Sequence, residues 1–157
     1  MIGHLQTNKV KQVVGRAALI HSVDSLRLME CIHREAEKKG IVQDILIEVN
    51  IGGEASKSGI APQELDTLLL AAADFPGIRV RGLMAIPPKA EEISENTSYF
   101  ESLSKLFIDR KAKKYDNVFM DFLSMGMSGD YISAIEQGSN MIRVRSSIFG
   151  ARPPMKQ

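Results

Sequence analysis

Two short stretches carry small residues and hydroxyls where a chain could meet an anion: "SMGMSGD", residues 124–130, and "RVRSSIFG", residues 143–150. Each lies at the end of an apolar run. In the first, Gly126 and Gly129 let backbone come close to a ligand, and Ser128 offers a hydroxyl where the next helix begins. Free amides at a helix start, at the positive end of its dipole, favour phosphate. The same serine serves equally well as the cap of "GDYISAIEQG", and the residues alone leave both roles open. In the second stretch side chains alternate, so Met141, Arg143 and Arg145 share one face while Ile142 and Val144 share the other. If the apolar face packs on helices, the arginines look into a barrel interior or a sheet crevice, where a buried guanidinium needs an acceptor. On an edge strand the same face is wet. Ser146 and Ser147 then form a second small-residue turn. An inward arginine beside two such turns is a grip for a phosphorylated ligand. There is no glycine-lysine-threonine element and no dinucleotide fingerprint.

Other reactive residue types give weaker signals. His4, His21 and His33 have no metal-ligand spacing among themselves or with Cys31 and read as surface or polar-network histidines. Cys31, the single cysteine, sits in the helical stretch "SLRLMECIHREAEKKG", reads as core, and fits a reducing compartment. Lysine and arginine total 20 against 19 acidic residues, net +1, and the basic residues are scattered, which argues against a nucleic-acid partner. No apolar run approaches the roughly 20 residues of a membrane span, and "MIGHLQTNKVKQ" lacks the plan of a signal peptide. The expectation is a soluble, cytoplasmic protein.

The elements that must position these residues alternate strictly. Asn8 and Gly15 bracket a first helix, the run "AALIHSVDS" follows, and Ser22, Asp24 and Ser25 are natural caps for a helix striped by Leu26, Met29, Ile32 and Ala36. "DILIEVNIG" is a strand covered on both faces. Pro62 opens a helix with Leu65, Leu68, Leu69 and Ala72 on one side, ended by Pro76 and Gly77. "IRVRGLMAIP" is a strand, and a long helix carries Ile93, Phe100, Leu103 and Phe107. "VFMDFLSMGMS" is a strand, "GDYISAIEQG" a short helix and "NMIRVRSSIFG" a final strand. Alternation of this kind predicts a parallel sheet with helical crossovers in one domain, residues 1–157. With "MIGHLQ" as the tail of a strand the total is six, which suits an open doubly wound sheet and is two short of a closed eight-stranded barrel.

The wording of five segments adds a resemblance. "IGHLQTNKVK", "LIEVNIGGEASKSGI", "IRVRGLMAIP", "LSMGMSGDYISAIEQGS" and "MIRVRSSIFGARP", in this order over nearly the whole chain, resemble the pyridoxal phosphate homeostasis protein family. The resemblance implies a parallel (β/α) barrel of the alanine racemase N-terminal type, incomplete here at about six of eight strands. It also implies a binding protein for pyridoxal 5'-phosphate in vitamin B6 and amino-acid balance, without strong catalytic activity. Carried over residue by residue, Ser128 and Ser146 contact the cofactor phosphate, with Gly126, Arg145 and Ser147 around it, and Arg143 sits by the pyridine nitrogen. A cation there disfavours protonation of the ring and weakens it as an electron sink. The family's Schiff-base lysine lies on a first strand upstream of "IGHLQ". Lys9, Lys11 and Lys57 do not replace it by motif, so the expected binding is non-covalent. Arg145 stands where the family has glycine, and Asn140 where it commonly has threonine. The competing readings are a pyridoxal phosphate racemase and a fragment without a ligand.

Overall fold

The computed structural model describes residues 1–54, 57–88 and 93–150. A short 3-10 turn, Thr7–Lys9, leads into α1, Val10–Val13, and the chain then enters β1, Leu19–Val23. Asn8 falls inside that turn rather than capping it, and Gly15 ends the segment with φ 77°. α2, Leu26–Lys38, begins where the Ser25 hydroxyl accepts the Leu28 amide at 3.3 Å, and it buries Leu28, Met29, Ile32 and Ala36. Burying the three larger side chains contributes roughly 2 kcal/mol apiece. β2, Gln43–Glu48, α3, Leu65–Ala71, β3, Ile78–Met84, and α4, Ile93–Lys111, continue the alternation. β4, Val118–Met127, α5, Tyr131–Glu136, β5, Met141–Arg143, and α6, Ser146–Phe149, complete it. The side chain of Ile93 and residues 151–153 of the last motif lie outside the described residues.

The five strands are all parallel and ordered β1-β2-β3-β4-β5. Each strand lies beside its neighbour in sequence, so the order never reverses, which is the winding of a barrel rather than of a doubly wound sheet. The sheet is a half-barrel. Five strands replace the expected six because Met1–Gln6 form none; instead the Met1 ammonium donates to the Leu19 carbonyl at 2.6 Å and the Met1 carbonyl accepts the His21 amide at 2.9 Å. The predicted final strand is also shorter, since it stops at Arg143 and turns into α6.

The two faces of the sheet divide the labour. Ile45 and Ile47, Val80 and Leu83, and Leu123 and Met125 join the helices in one hydrophobic cluster with Ile32, Leu65, Leu69, Phe100 and Leu103. Leu46, between two of those residues, is fully buried but stands outside the cluster, on the opposite, concave face with Asp44 and Glu48. Gly82 permits a local irregularity between β3 and β4: its φ is 145°, and a Cβ there would lie 1.9 Å from the Phe122 carbonyl oxygen.

Candidate functional site

Four side chains meet on the concave face. The Arg143 guanidinium donates to the Ser124 carbonyl at 2.9 Å, to the Ser124 hydroxyl at 2.8 Å and to the Ala85 carbonyl at 2.8 Å. Its side of β5 is therefore the inward one, and the wet-edge alternative does not hold for this residue, which is 9% exposed. Ser124 Oγ also lies 3.1 Å from His21 Nδ1. The Ser124 oxygen accepts from Arg143, and its proton is free to go to Nδ1 when the imidazole is neutral. Burial, the N-terminal charge and Arg143 lower the His21 pKa to about 4. Burial also lowers the Arg143 pKa, and Glu48 and Asp130 oppose that shift.

Glu48, at the C-terminal end of β2, is the fourth member. It is 6% exposed, and its Oε2 has no hydrogen-bond partner among the described residues. Burial raises its pKa; Asp24, just beyond β1, adds to the rise, while Arg143 and His4 oppose it. Asp24 is itself paired with His4 Nδ1 at 3.1 Å. All of these groups sit at the strand ends where parallel barrels assemble their sites.

The two small-residue turns converge at the same rim. Ser128 does not cap α5: Asp130 holds the N-cap position, and Asp130 Oδ1 accepts the Met127 amide at 2.6 Å. The Ser128 hydroxyl instead accepts the Arg145 amide at 3.0 Å and the Ser147 amide at 3.4 Å, and the Ser147 hydroxyl reaches the Ser128 carbonyl at 3.4 Å. Amides gathered on one exposed oxygen can hold a tetrahedral oxyanion in its place. α5 has six residues and α6 four, so these amides matter more than any helix dipole.

Other predicted site residues take different places. Arg145 is exposed and lies outside the strand, with φ −131° and ψ −65°, so it does not share an inward face with Arg143; its contribution to the turn is its backbone amide. Ser146 is exposed at the first position of α6, between the two amides that reach Ser128. Gly126, at φ 92°, is needed for packing: a Cβ would meet Ala134 Cβ at 2.6 Å, so the glycine lets α5 lie against β4. Gly129 faces open space. Asn140 bridges β4, accepting the Leu123 amide at 2.8 Å and donating to the Asp121 carbonyl at 2.7 Å. Lys57 donates to the Pro87 carbonyl at 2.9 Å and pairs with Glu54 at 3.0 Å.

Sequence reasoning missed Ser124, His21 and Glu48 as site residues. The signal was present: each is a polar residue inside an apolar strand run, as in "DILIEVNIG". Among the described residues no group of His, Cys, Asp and Glu is arranged to hold a metal, and no helix is long and apolar enough to cross a membrane.

Comparison with known proteins places this fold. The model of the alanine racemase N-terminal domain family matches residues 1–153. The pyridoxal phosphate homeostasis protein of Aquifex aeolicus is 45% identical over 151 residues, which cover 96% of this chain and 65% of the relative. The protein of the same name from Pseudomonas aeruginosa is 36% identical, with 96% of this chain and 63% of the relative covered. The chain thus spans slightly under two thirds of the curated relatives it matches. Among solved structures, PipY of Synechococcus elongatus with pyridoxal phosphate bound has a TM-score of 0.85 at 29% identity, over 96% of this chain and 69% of PipY. The same protein without the cofactor gives 0.88 at 30% identity. The half-barrel and the match over residues 1–153 place this chain in the alanine racemase N-terminal domain family, with the pyridoxal phosphate homeostasis proteins among its relatives.

Proposed function

We infer that the C-terminal rim of this half-barrel binds pyridoxal 5'-phosphate non-covalently, and that the chain serves vitamin B6 homeostasis as a binding protein rather than as a catalyst. One observation carries the reading: the amides of Arg145 and Ser147 converge on the Ser128 hydroxyl, one turn beyond the buried Arg143. That donor set fits a phosphate, which needs several N–H and O–H donors and no acceptors. Ser128, Ser147 and the backbone of Arg145 and Ser146 would hold the phosphate, and Gly126 keeps α5 close enough to shape the turn.

Pyridoxal phosphate, when bound, supplies an electron-withdrawing ring that stabilises negative charge on an attached carbon. The residues of this chain restrain that chemistry. Arg143 is a cation fixed by three hydrogen bonds, so it would keep a ring nitrogen placed beside it unprotonated and weaken the withdrawal. Lys57 is engaged with Pro87 and Glu54, away from Ser128's partners. The names of the relatives support homeostasis over catalysis, and the solved complex of PipY supports the ligand.

Equilibrium dialysis of the purified chain against pyridoxal phosphate, followed by borohydride reduction and intact-mass analysis, tests the reading. Retention without a mass adduct is expected. A stable adduct would overturn the non-covalent part, and no retention would overturn the binding function.

A further inference from the structure

The phosphate turn and Arg143 account for most of the rim but leave one oxygen of the Glu48 carboxylate without a hydrogen-bond partner among the described residues. Its Oε2 is buried and unpartnered, and Arg143 and His4, whose charges reach it, make no hydrogen bond to that oxygen. Arg143 aims its hydrogen bonds at the Ser124 and Ala85 oxygens, His4 is paired with Asp24, and Lys57 with Glu54. The acidic group whose charge bears on Glu48 is Asp24, which adds negative charge to the position. Buried carboxylates in folded proteins are paired or hydrogen-bonded, because an orphaned one is costly. The same strand shows what satisfaction looks like: Asp44, on the same face, has an arginine on each oxygen.

We propose that Glu48 forms a cation subsite of the rim, so that the preferred ligand is a phosphomonoester carrying a protonated amine: among the B6 phosphates, the amine form, pyridoxamine 5'-phosphate. The proposal rests on the reading that Ser128 and its amides hold the phosphate. Glu48 ends β2 and Ser128 follows β4, two strands away, which is on the order of 10 Å across a parallel sheet. A substituted six-membered ring with one hydrogen bond at each end fits that span. The anionic end of such a ligand meets amide and hydroxyl donors, and its cationic end meets an acceptor that the protein has left open. The subsite is a matter of specificity: an aldehyde or a hydroxymethyl group at the same ring position brings no positive charge to Glu48.

The test uses the whole chain and three probes that share ring and phosphate: pyridoxamine, pyridoxine and pyridoxal 5'-phosphates, titrated by calorimetry at neutral pH. Wild type is expected to bind the amine form about ten-fold more tightly than the hydroxymethyl form, the scale of one desolvated charge pair. Glu48→Gln should reduce that ratio to about one, with the thermal transition confirming that the variant is folded. A wild-type ratio near one overturns the subsite without touching the phosphate reading, and so does a ratio that survives in Glu48→Gln. If none of the three binds, the phosphate reading itself fails and the subsite goes with it. The wild-type ratio alone decides the matter if the variant does not fold.

Discussion

Asp44 and Glu48 sit on the same face of β2, four residues apart, and they have opposite fates. Asp44, at the N-terminal end, accepts Arg79 at 2.6 Å and Arg81 at 2.8 Å, and Arg81 passes on to Asp121 at 2.7 Å, so the charges tie β2, β3 and β4 together. Arg81 also lies 5.2 Å from the Phe122 ring centroid. Glu48, at the C-terminal end, is more deeply buried and keeps an oxygen unpaired. Paired charge at one end and unpaired charge at the other is how a barrel separates stability from function along a single strand. The bottom ladder is self-sufficient, whereas the top is built to be completed by a ligand.

Breaking the top at its keystone should have the largest effect. Arg143→Ala removes the donor for the Ser124 and Ala85 oxygens and leaves a void, and should cost about 3 kcal/mol in urea unfolding. Gly82→Ala, between the two ends, forces a side chain against the Phe122 carbonyl at a φ that only glycine adopts easily, and should cost about 2 kcal/mol by the same measurement. Asp44→Asn tests the bottom ladder. It should cost about 1 kcal/mol, and the loss should shrink at high salt because Arg79 and Asp121 are partly exposed.

Glu48→Gln should be the mildest, a gain of less than about 1 kcal/mol at neutral pH, since it removes an unpaired buried charge. Its pH dependence sharpens the point. The folded-state pKa of Glu48 is raised above its ordinary 4.5, so the fold binds this proton more tightly than the unfolded chain does. Wild-type stability should therefore fall as pH rises from 4.5 through the raised value, and the variant should lack that fall. His21 works in the other direction. Its folded pKa is lowered from 6.5 to about 4, so stability falls as pH drops through that window, and His21→Gln should flatten this limb of a stability profile measured by denaturant titration.

Alternation along "NMIRVRSSIFG" set Arg143 on the face opposite Ile142 but left that face inward or wet, and the fold shows it inward. It failed for Arg145 because the strand ends at Arg143, and nothing in the local sequence marks that end. The role of Ser128 was undecidable for a related reason: its amide partners lie 17 and 19 residues further along, brought back by β5, and spacing within "SMGMSGD" cannot reveal them. Alternation likewise could not reveal the barrel winding, which only the resemblance implied, since alternating strands and helices are common to both architectures until strand order is known. Glu48 was legible in principle as a lone carboxylate within an apolar run, but only the fold shows that its Oε2 finds no hydrogen-bond partner among the described residues.

The most direct measurement is the backbone amide NMR spectrum of the isotopically labelled chain as pyridoxal phosphate is added. Saturable shifts at Ser128, Arg145 and Ser147, with Asp44, Arg79 and Arg81 unmoved, are the predicted result. Unchanged amides at the serine turn, or saturable shifts at the paired ladder instead, would contradict the assignment of the phosphate to the rim.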